Sequence, residues 1–195
     1  MSDVLRTDKQ EWQAQLMAFL KPTWVVTGVL TINLDAVQAD GVKGFIFDLD
    51  NTIMAPNSAL LENDIDAWLK KIHALGFKTI VVSNNPLSFY TKKAEEILKI
   101  PVIGNAGKPR RRMLRKALEL LGLQADQVAV VGDRPLTDIW GGQRLGCKTI
   151  LVDPLTKTQE NRVVQVLRKI ERQFIASSHR QVQHPHPHHS QKRDP

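Results

Sequence analysis

KGFIFDLDNT, residues 43–52, opens on a nearly continuous apolar run and closes on two carboxylates, Asp48 and Asp50. An apolar run without alternation marks a strand buried on both faces, as in the centre of a parallel sheet. Working outward, FKTIVV (77–82), PVIG (101–104), QVAVVGD (127–133) and KTILVD (148–153) read as further strands. Between them Leu61, Ile65, Trp68, Leu69, Ile72 and Leu75 make one helical stripe that ends at Gly76. More helices are expected near 87–99, 110–121 and 136–145. This alternation predicts an α/β fold with a parallel sheet.

The flanks divide the chain of 195 residues into three parts. Residues 1–42 form an arm ahead of the first strong strand, expected to pack on the core. Within it Trp12, Leu16, Phe19 and Leu20 fall at helical spacing, Pro22 stops that helix, and Asn33 is placed to cap a short helix, LDAVQAD, ending at Gly41. Residues 43–175 carry the domain, closed by an amphipathic helix over 158–175. Residues 176–195, with HPHPHHSQKRDP, have no periodicity and read as a disordered, basic, His-rich tail.

Composition excludes several classes. The chain is 42% hydrophobic and 24% charged, in the globular range. Its longest uncharged runs, Pro22 to Leu34 and Thr79 to Thr91, have 13 residues, too few for a membrane-spanning helix. The start, MSDVLRTDKQEWQ, lacks a basic segment followed by an apolar one, so no secretory signal is expected. The single cysteine, Cys147, forms no internal disulfide and no thiolate zinc cluster, and a reducing, cytoplasmic compartment is the expectation. The net charge of +7 favours anionic partners or serves solubility alone.

The chemistry concentrates at strand ends, where open α/β sheets bind ligands. Asp48 and Asp50 follow one buried strand, and Asp133 follows another, with Asp138 five residues on in GDRPLTD. Carboxylates gathered at one sheet edge repel unless a cation or a shared proton neutralises them, and a hard divalent ion such as Mg²⁺ suits all-oxygen ligands. An acidic turn in solvent is the alternative for the first pair, and a helix-start acid the alternative for Asp138. Ser83, Asn84 and Asn85 end a third strand, where a hydroxyl and free N–H groups could hold phosphate, or simply cap a helix. Lys108, before Pro109, could hold a phosphate as a point charge or lie in solvent.

In order, DLDNT, Ser83, Lys108 and GDRPLTD resemble the four motifs of the haloacid dehalogenase-like (HAD) phosphohydrolase superfamily, at separations of 35, 25 and 25 residues. GVKGFIFDLDNTI, VVSNN and GDRPLTDIWGG with GCKTILVDPL resemble the YqeG-like group of subfamily IIIA, which includes the mitochondrial phosphatidylglycerophosphate phosphatases. The arm shares this likeness, which extends over roughly residues 18–172. The resemblance implies a Rossmann-like HAD fold and hydrolysis of phosphomonoesters. Asp48 would be the nucleophile and Asp50 the general acid and base. Ser83, Asn84 and Lys108 would bind the phosphoryl group. Mg²⁺ would be held by Asp48, the Asp50 backbone carbonyl and Asp133, with Asp138 in or beside the set.

Neither Ile53 to Glu62 nor the gap after Ser83 can house a cap domain. An open site favours a large substrate, and Lys108, Arg110, Arg111, Arg112, Arg115 and Lys116 crowd one helix start beside it. That helix face is either a solvated one or a rim that attracts an anionic membrane. Phosphatidylglycerophosphate or another membrane phosphomonoester is the preferred substrate, with the protein cytoplasmic or peripheral at the membrane. A soluble phosphatase acting on nucleotides, sugar phosphates or phosphoproteins is one rival, and a non-catalytic module docking on RNA or a ribosome is another. The tail histidines, His184, His186, His188 and His189, either bind a transition metal or, as the preferred reading, lie in an unstructured solvated tail, and His73, on an expected helix, is assigned no role.

Overall fold

The computed structural model describes residues 21–156 except 57 and 59. The expected helices at Trp12 to Leu20 and over 158–175, and the tail after them, lie outside the described residues. The elements in chain order are β1 (Trp24–Val26), a 3-10 turn (Val29–Thr31), α1 (Leu34–Ala39), β2 (Gly44–Phe47), α2 (Asn63–Ala74), β3 (Lys78–Val82), α3 (Ser88–Leu98), β4 (Val102–Ile103), α4 (Arg111–Leu121), a second 3-10 turn (Ala125–Gln127), β5 (Val128–Gly132), a π-type turn (Pro135–Ile139), α5 (Trp140–Gln143) and β6 (Lys148–Val152). The six strands form one sheet, β1-β6-β5-β2-β3-β4, in which every pairing is parallel.

Four residues of β2, GFIF, are buried without a break, as the apolar run requires. Alternate side chains feed opposite layers. Phe45 and Phe47 face the layer that holds Trp68 and Phe77, with ring centroids 5.0–6.4 Å apart. Ile46 faces the other, with Leu114, Ala117, Leu121 and Val130. At Gly44 a Cβ would lie 2.7 Å from Leu123 Cδ1 and 2.9 Å from the Lys78 carbonyl, so only glycine lets these strands approach.

Two details differ from the sequence reading. The arm supplies a strand: β1 pairs with β6, Trp24 opposite Ile150. Three residues in PTWVVTG are too few for a period to register. Thr23 and Thr149 lock the edge reciprocally, each backbone N–H donating to the other's hydroxyl at 3.1 and 3.0 Å. Leu75, expected in the α2 stripe, is exposed, because the chain leaves the helix there and turns at Gly76 (φ +84). The α1 cap is as expected, with Asn33 Oδ1 accepting from the Ala36 N–H at 3.0 Å.

The register positions the site. Phe47 lies level with Val81 on one side and Val131 on the other, so β3, β2 and β5 end together. The chain runs outward from β2 to β3 and β4, then crosses back to β5. The reversal opens a crevice at the carboxyl ends of β2 and β5, the topological switch point where such sheets bind ligands. No helix among the described residues is long and apolar enough to cross a membrane.

Candidate active site

Asp48 leaves β2 with its N–H donating to the Val131 carbonyl at 2.8 Å, so its backbone still belongs to the sheet. The turn after it is tight. Asn51 takes a left-handed conformation (φ 64), which asparagine tolerates, and its N–H donates to the Met54 carbonyl at 2.8 Å. Asn51 Oδ1 accepts from the Thr156 hydroxyl at 2.7 Å, fastening this turn to the segment after β6.

Lys108 is the pivot of the site. Its ammonium is buried and lies 2.6 Å from Asp48 Oδ1 and 2.6 Å from Asp138 Oδ1. The peptide bond to Pro109 is cis. Asn84 holds the Lys108 backbone from both sides: its Oδ1 accepts from the Lys108 N–H at 2.7 Å and its Nδ2 donates to the Lys108 carbonyl at 3.1 Å. The lysine is therefore not solvated, and the Asn84 carboxamide is spent on positioning it. Asp138 is no exposed helix-start acid either. It is buried in the π-type turn, and its Oδ2 accepts from the Arg134 N–H at 3.2 Å.

Asp48, Asp133 and Asp138 each present a carboxylate oxygen within 4.8 Å of the others, all buried. Three buried carboxylates gathered around the Lys108 ammonium form a cluster that a divalent cation would stabilise in a low dielectric. An all-oxygen donor set of this kind fits a hard ion. Burial is the main cause that pushes the Asp48 carboxyl up from 3.8 to about 6; Lys108 opposes it, and Asp138 and Asp50 add to it. Burial works against the Lys108 ammonium too, but Asp138 and Asp48 outweigh it and hold the group above the usual lysine range.

Asp50 stands apart from that cluster. Its Oδ1 accepts from the Tyr90 hydroxyl at 2.8 Å, and Asn85 Nδ2 lies 3.5 Å from Oδ2. Ser83 is buried, and its hydroxyl oxygen accepts from the Asn85 N–H at 3.0 Å. Asp48, Asp50, Ser83, Asn84 and Lys108 share one pocket of about 230 Å³ with Asn85, Pro86, Arg134 and Thr137. Sequence reasoning did not assign Tyr90, Arg134 or Thr137 to the site. The available signal for Tyr90 was a tyrosine on the first turn of a helix that starts at the ligand-binding edge.

A family model described as "HAD-hyrolase-like" matches residues 105–180. The chain is 31% identical over 162 residues to the probable phosphatase YqeG of Bacillus subtilis, a match covering 83% of this chain and 93% of that protein. It is 34% identical over 149 residues to the chloroplastic phosphatidylglycerophosphate phosphatase 1 of Chlamydomonas reinhardtii, covering 72% of this chain and 55% of that protein. Against the chloroplastic/mitochondrial phosphatidylglycerophosphate phosphatase 1 of Arabidopsis thaliana identity is 29% over 161 residues, 78% of this chain and 46% of that one. The chain thus spans about half the length of these two. Among solved structures, an uncharacterized protein from Listeria monocytogenes serotype 4b matches with a TM-score of 0.50 at 18% identity. That match covers 71% of this chain and 99% of the other and is a likeness of fold alone.

Proposed function

We propose, since the chain belongs to the YqeG family of HAD-type phosphatases, that it is a Mg²⁺-dependent phosphomonoester hydrolase working through an aspartyl-phosphate on Asp48. The observation that carries this reading is the buried Asp48–Lys108–Asp138 arrangement beside Asp133 at the end of β2. In it, an Asp48 oxygen attacks phosphorus and the bond from phosphorus to the leaving oxygen breaks. Asp50, in its acid form, gives its proton to that oxygen. Asp50, now a carboxylate, then takes a proton from water as the water oxygen attacks the aspartyl-phosphate. Inorganic phosphate leaves, and both carboxyl groups return to their starting forms. Lys108 fixes the Asp48 carboxylate by its Oδ1 contact and offsets its charge, while Ser83 faces the phosphoryl oxygens. Asp48, Asp133 and the Asp50 carbonyl would hold Mg²⁺ with Asp138 beside them, and the ion supplies charge neutralisation between nucleophile and phosphate dianion.

The substrate class in this reading is a phosphomonoester presented at a membrane, phosphatidylglycerophosphate or a similar lipid, met by a cytoplasmic protein binding peripherally. Two kinds of observation support it. The algal and plant relatives carry that activity in their names. The edge of the sheet that bears the pocket also bears the N-termini of α3 and α4. There Leu87 and Phe89 are 60% and 79% exposed, and Lys92, Lys93, Arg110, Arg112, Arg115 and Lys116 face solvent. Apolar anchors among cations suit an anionic interface.

The test is phosphate release from phosphatidylglycerophosphate in vesicles and from soluble phosphomonoesters, with and without Mg²⁺, for wild type and Asp48→Asn. Turnover of the lipid that needs Mg²⁺ and is lost in Asp48→Asn is expected. Mg²⁺-dependent activity surviving in purified Asp48→Asn would refute the mechanism. Efficient turnover of soluble phosphates beside an inert lipid would refute the substrate class.

A further inference from the structure

We propose that Arg134 and Thr137 form a second-anion subsite, which selects phosphomonoesters carrying another negative group, a phosphodiester or a carboxylate, on the leaving-group side. The inference rests on the phosphatase reading above and adds to it a chemical requirement on the substrate. Both residues line the pocket that holds Asp48, Asp50, Ser83 and Lys108. Among the described residues neither side chain is engaged elsewhere. Among the described residues no carboxylate pairs with the guanidinium of Arg134, a half-buried residue. Thr137 Oγ1 is buried with no hydrogen-bond partner among the described residues, although a buried hydroxyl ordinarily finds one.

The contrast with Lys108 gives the subsite its meaning. Lys108 is bound by Asp48 and Asp138, so its charge is largely consumed within the catalytic cluster. Arg134 therefore contributes positive charge to the pocket that is still available to a ligand. Its backbone is fixed: the N–H donates to Asp138 Oδ2 at 3.2 Å, and the carbonyl accepts from the Asp138 N–H at 3.0 Å. Pro135 has its own φ fixed by its ring and restricts Arg134 before it, and the π-type turn brings Thr137 back to the same pocket. The turn that supplies Asp138 to the cluster thus carries an unpaired cation and an unsatisfied hydroxyl at set positions beside it. A guanidinium matches a carboxylate or phosphate oxygen pair in two-point geometry, and a threonine hydroxyl can add a third bond. A phosphomonoester without a second anion leaves both groups unmet, which is how a polar site discriminates.

The experiment uses the full chain and compares soluble pairs that differ in the second anion. These are phosphoglycolate against 2-hydroxyethyl phosphate, and glycerophosphoglycerol phosphate against glycerol 3-phosphate. Wild type should prefer the second-anion member of at least one pair in kcat/KM. Arg134→Gln should lose about 10-fold more on that member than on its partner, chiefly through KM, as expected for a charge-assisted hydrogen bond removed. Thr137→Val should lose in the same direction by less, and Arg134→Lys should recover part of the preference. Calorimetric binding of the same pairs to Asp48→Asn, with and without Arg134→Gln, reads the discrimination without turnover. No preference in wild type, or equal losses on both members, would overturn the subsite. Vesicle assays keep this separate from the membrane reading. Preference erased by Arg134→Gln with an inert lipid keeps the subsite and removes the lipid, while lipid turnover indifferent to Arg134→Gln removes the subsite and keeps the lipid.

Discussion

The hydroxyl of Tyr90 donates a 2.8 Å hydrogen bond to Oδ1 of Asp50. Tyr90 lies on the first turn of α3 with its ring buried, so the contact holds the Asp50 side chain away from the carboxylate cluster of Asp48, Asp133 and Asp138. In the proposed mechanism Asp50 is the proton donor to the leaving oxygen and must keep one orientation, which a buried phenol imposes stiffly. Tyr90→Phe keeps the ring and removes the bond. It should lower kcat about 10-fold with little change in KM. The loss should be larger for an alkyl phosphate than for p-nitrophenyl phosphate, whose leaving group needs little protonation. Equal losses on the two would assign Tyr90 to packing.

Metal binding should compete with protons at Asp48. Its carboxyl is pushed up to about 6, with burial the largest cause. A carboxyl raised in the folded state contributes stability that is present in full below its unfolded value of 3.8 and is lost as pH rises through about 6. Above that window the metal-free protein carries a buried carboxylate that a divalent ion would relieve. Millimolar Mg²⁺ should therefore raise the melting temperature near pH 7.5 and have little effect near pH 5. Asp133→Asn should shrink the shift near pH 7.5. A shift of equal size at both pH values would place the ion away from Asp48.

The parts of this site that could be read from sequence are those tied to a strand period. GFIF announces a central strand, so Asp48 at its end follows, and VAVVG does the same for Asp133. Lys108 was legible as a candidate but not in its depth. Nothing in GKPRRR says that the lysine turns inward while Arg110 and Arg112 face solvent, because its burial depends on Asp48 and Asp138, distant in sequence. Tyr90 and Thr137 were hidden for a related reason. Each sits in a helical or turn segment whose pattern accounts for it locally, and its role depends on which pocket that segment faces. β1 was missed because a three-residue edge strand has no room to show a period.

Gly132 ends β5 beneath the Asp138 side chain. A Cβ there would fall 2.4 Å from both Cγ and Oδ2 of Asp138. Asp138 is itself held by Lys108 and by the Arg134 N–H, so it cannot move without breaking those contacts. Gly132→Ala should destabilise the fold by about 1–3 kcal/mol, as overpacking does, and lower activity by more than its stability loss explains. Urea unfolding and kinetics at a temperature where the variant is fully folded would separate the two. Wild-type activity in that variant would show that Asp138 has freedom to shift.

The membrane reading makes its own prediction, because its two supports respond differently to salt. Phe89 lies on the first turn of α3 with Lys92 and Lys93 three and four residues on, so the three share one exposed helix face. Arg112, Arg115 and Lys116 stand on the outer side of α4, whereas Arg111 is half-buried and donates to the Arg144 carbonyl at 3.1 Å. Charge attraction to an anionic bilayer is screened within about 8 Å at physiological ionic strength, while burial of an aromatic ring is not. Vesicle binding by wild type should therefore fall steeply with added salt. Arg112→Gln, Arg115→Gln and Lys116→Gln together should weaken binding at low salt and flatten that slope. Phe89→Ser should weaken binding at every salt concentration and leave the slope as it was. Turnover of a small soluble phosphomonoester should change little in either variant, because neither alters the pocket. A sedimentation assay with anionic and with neutral vesicles, over a salt series, measures all of this. Binding that ignores both variants, or that is as strong on neutral vesicles as on anionic ones, would remove the electrostatic interface and leave an open phosphatase site with a soluble substrate.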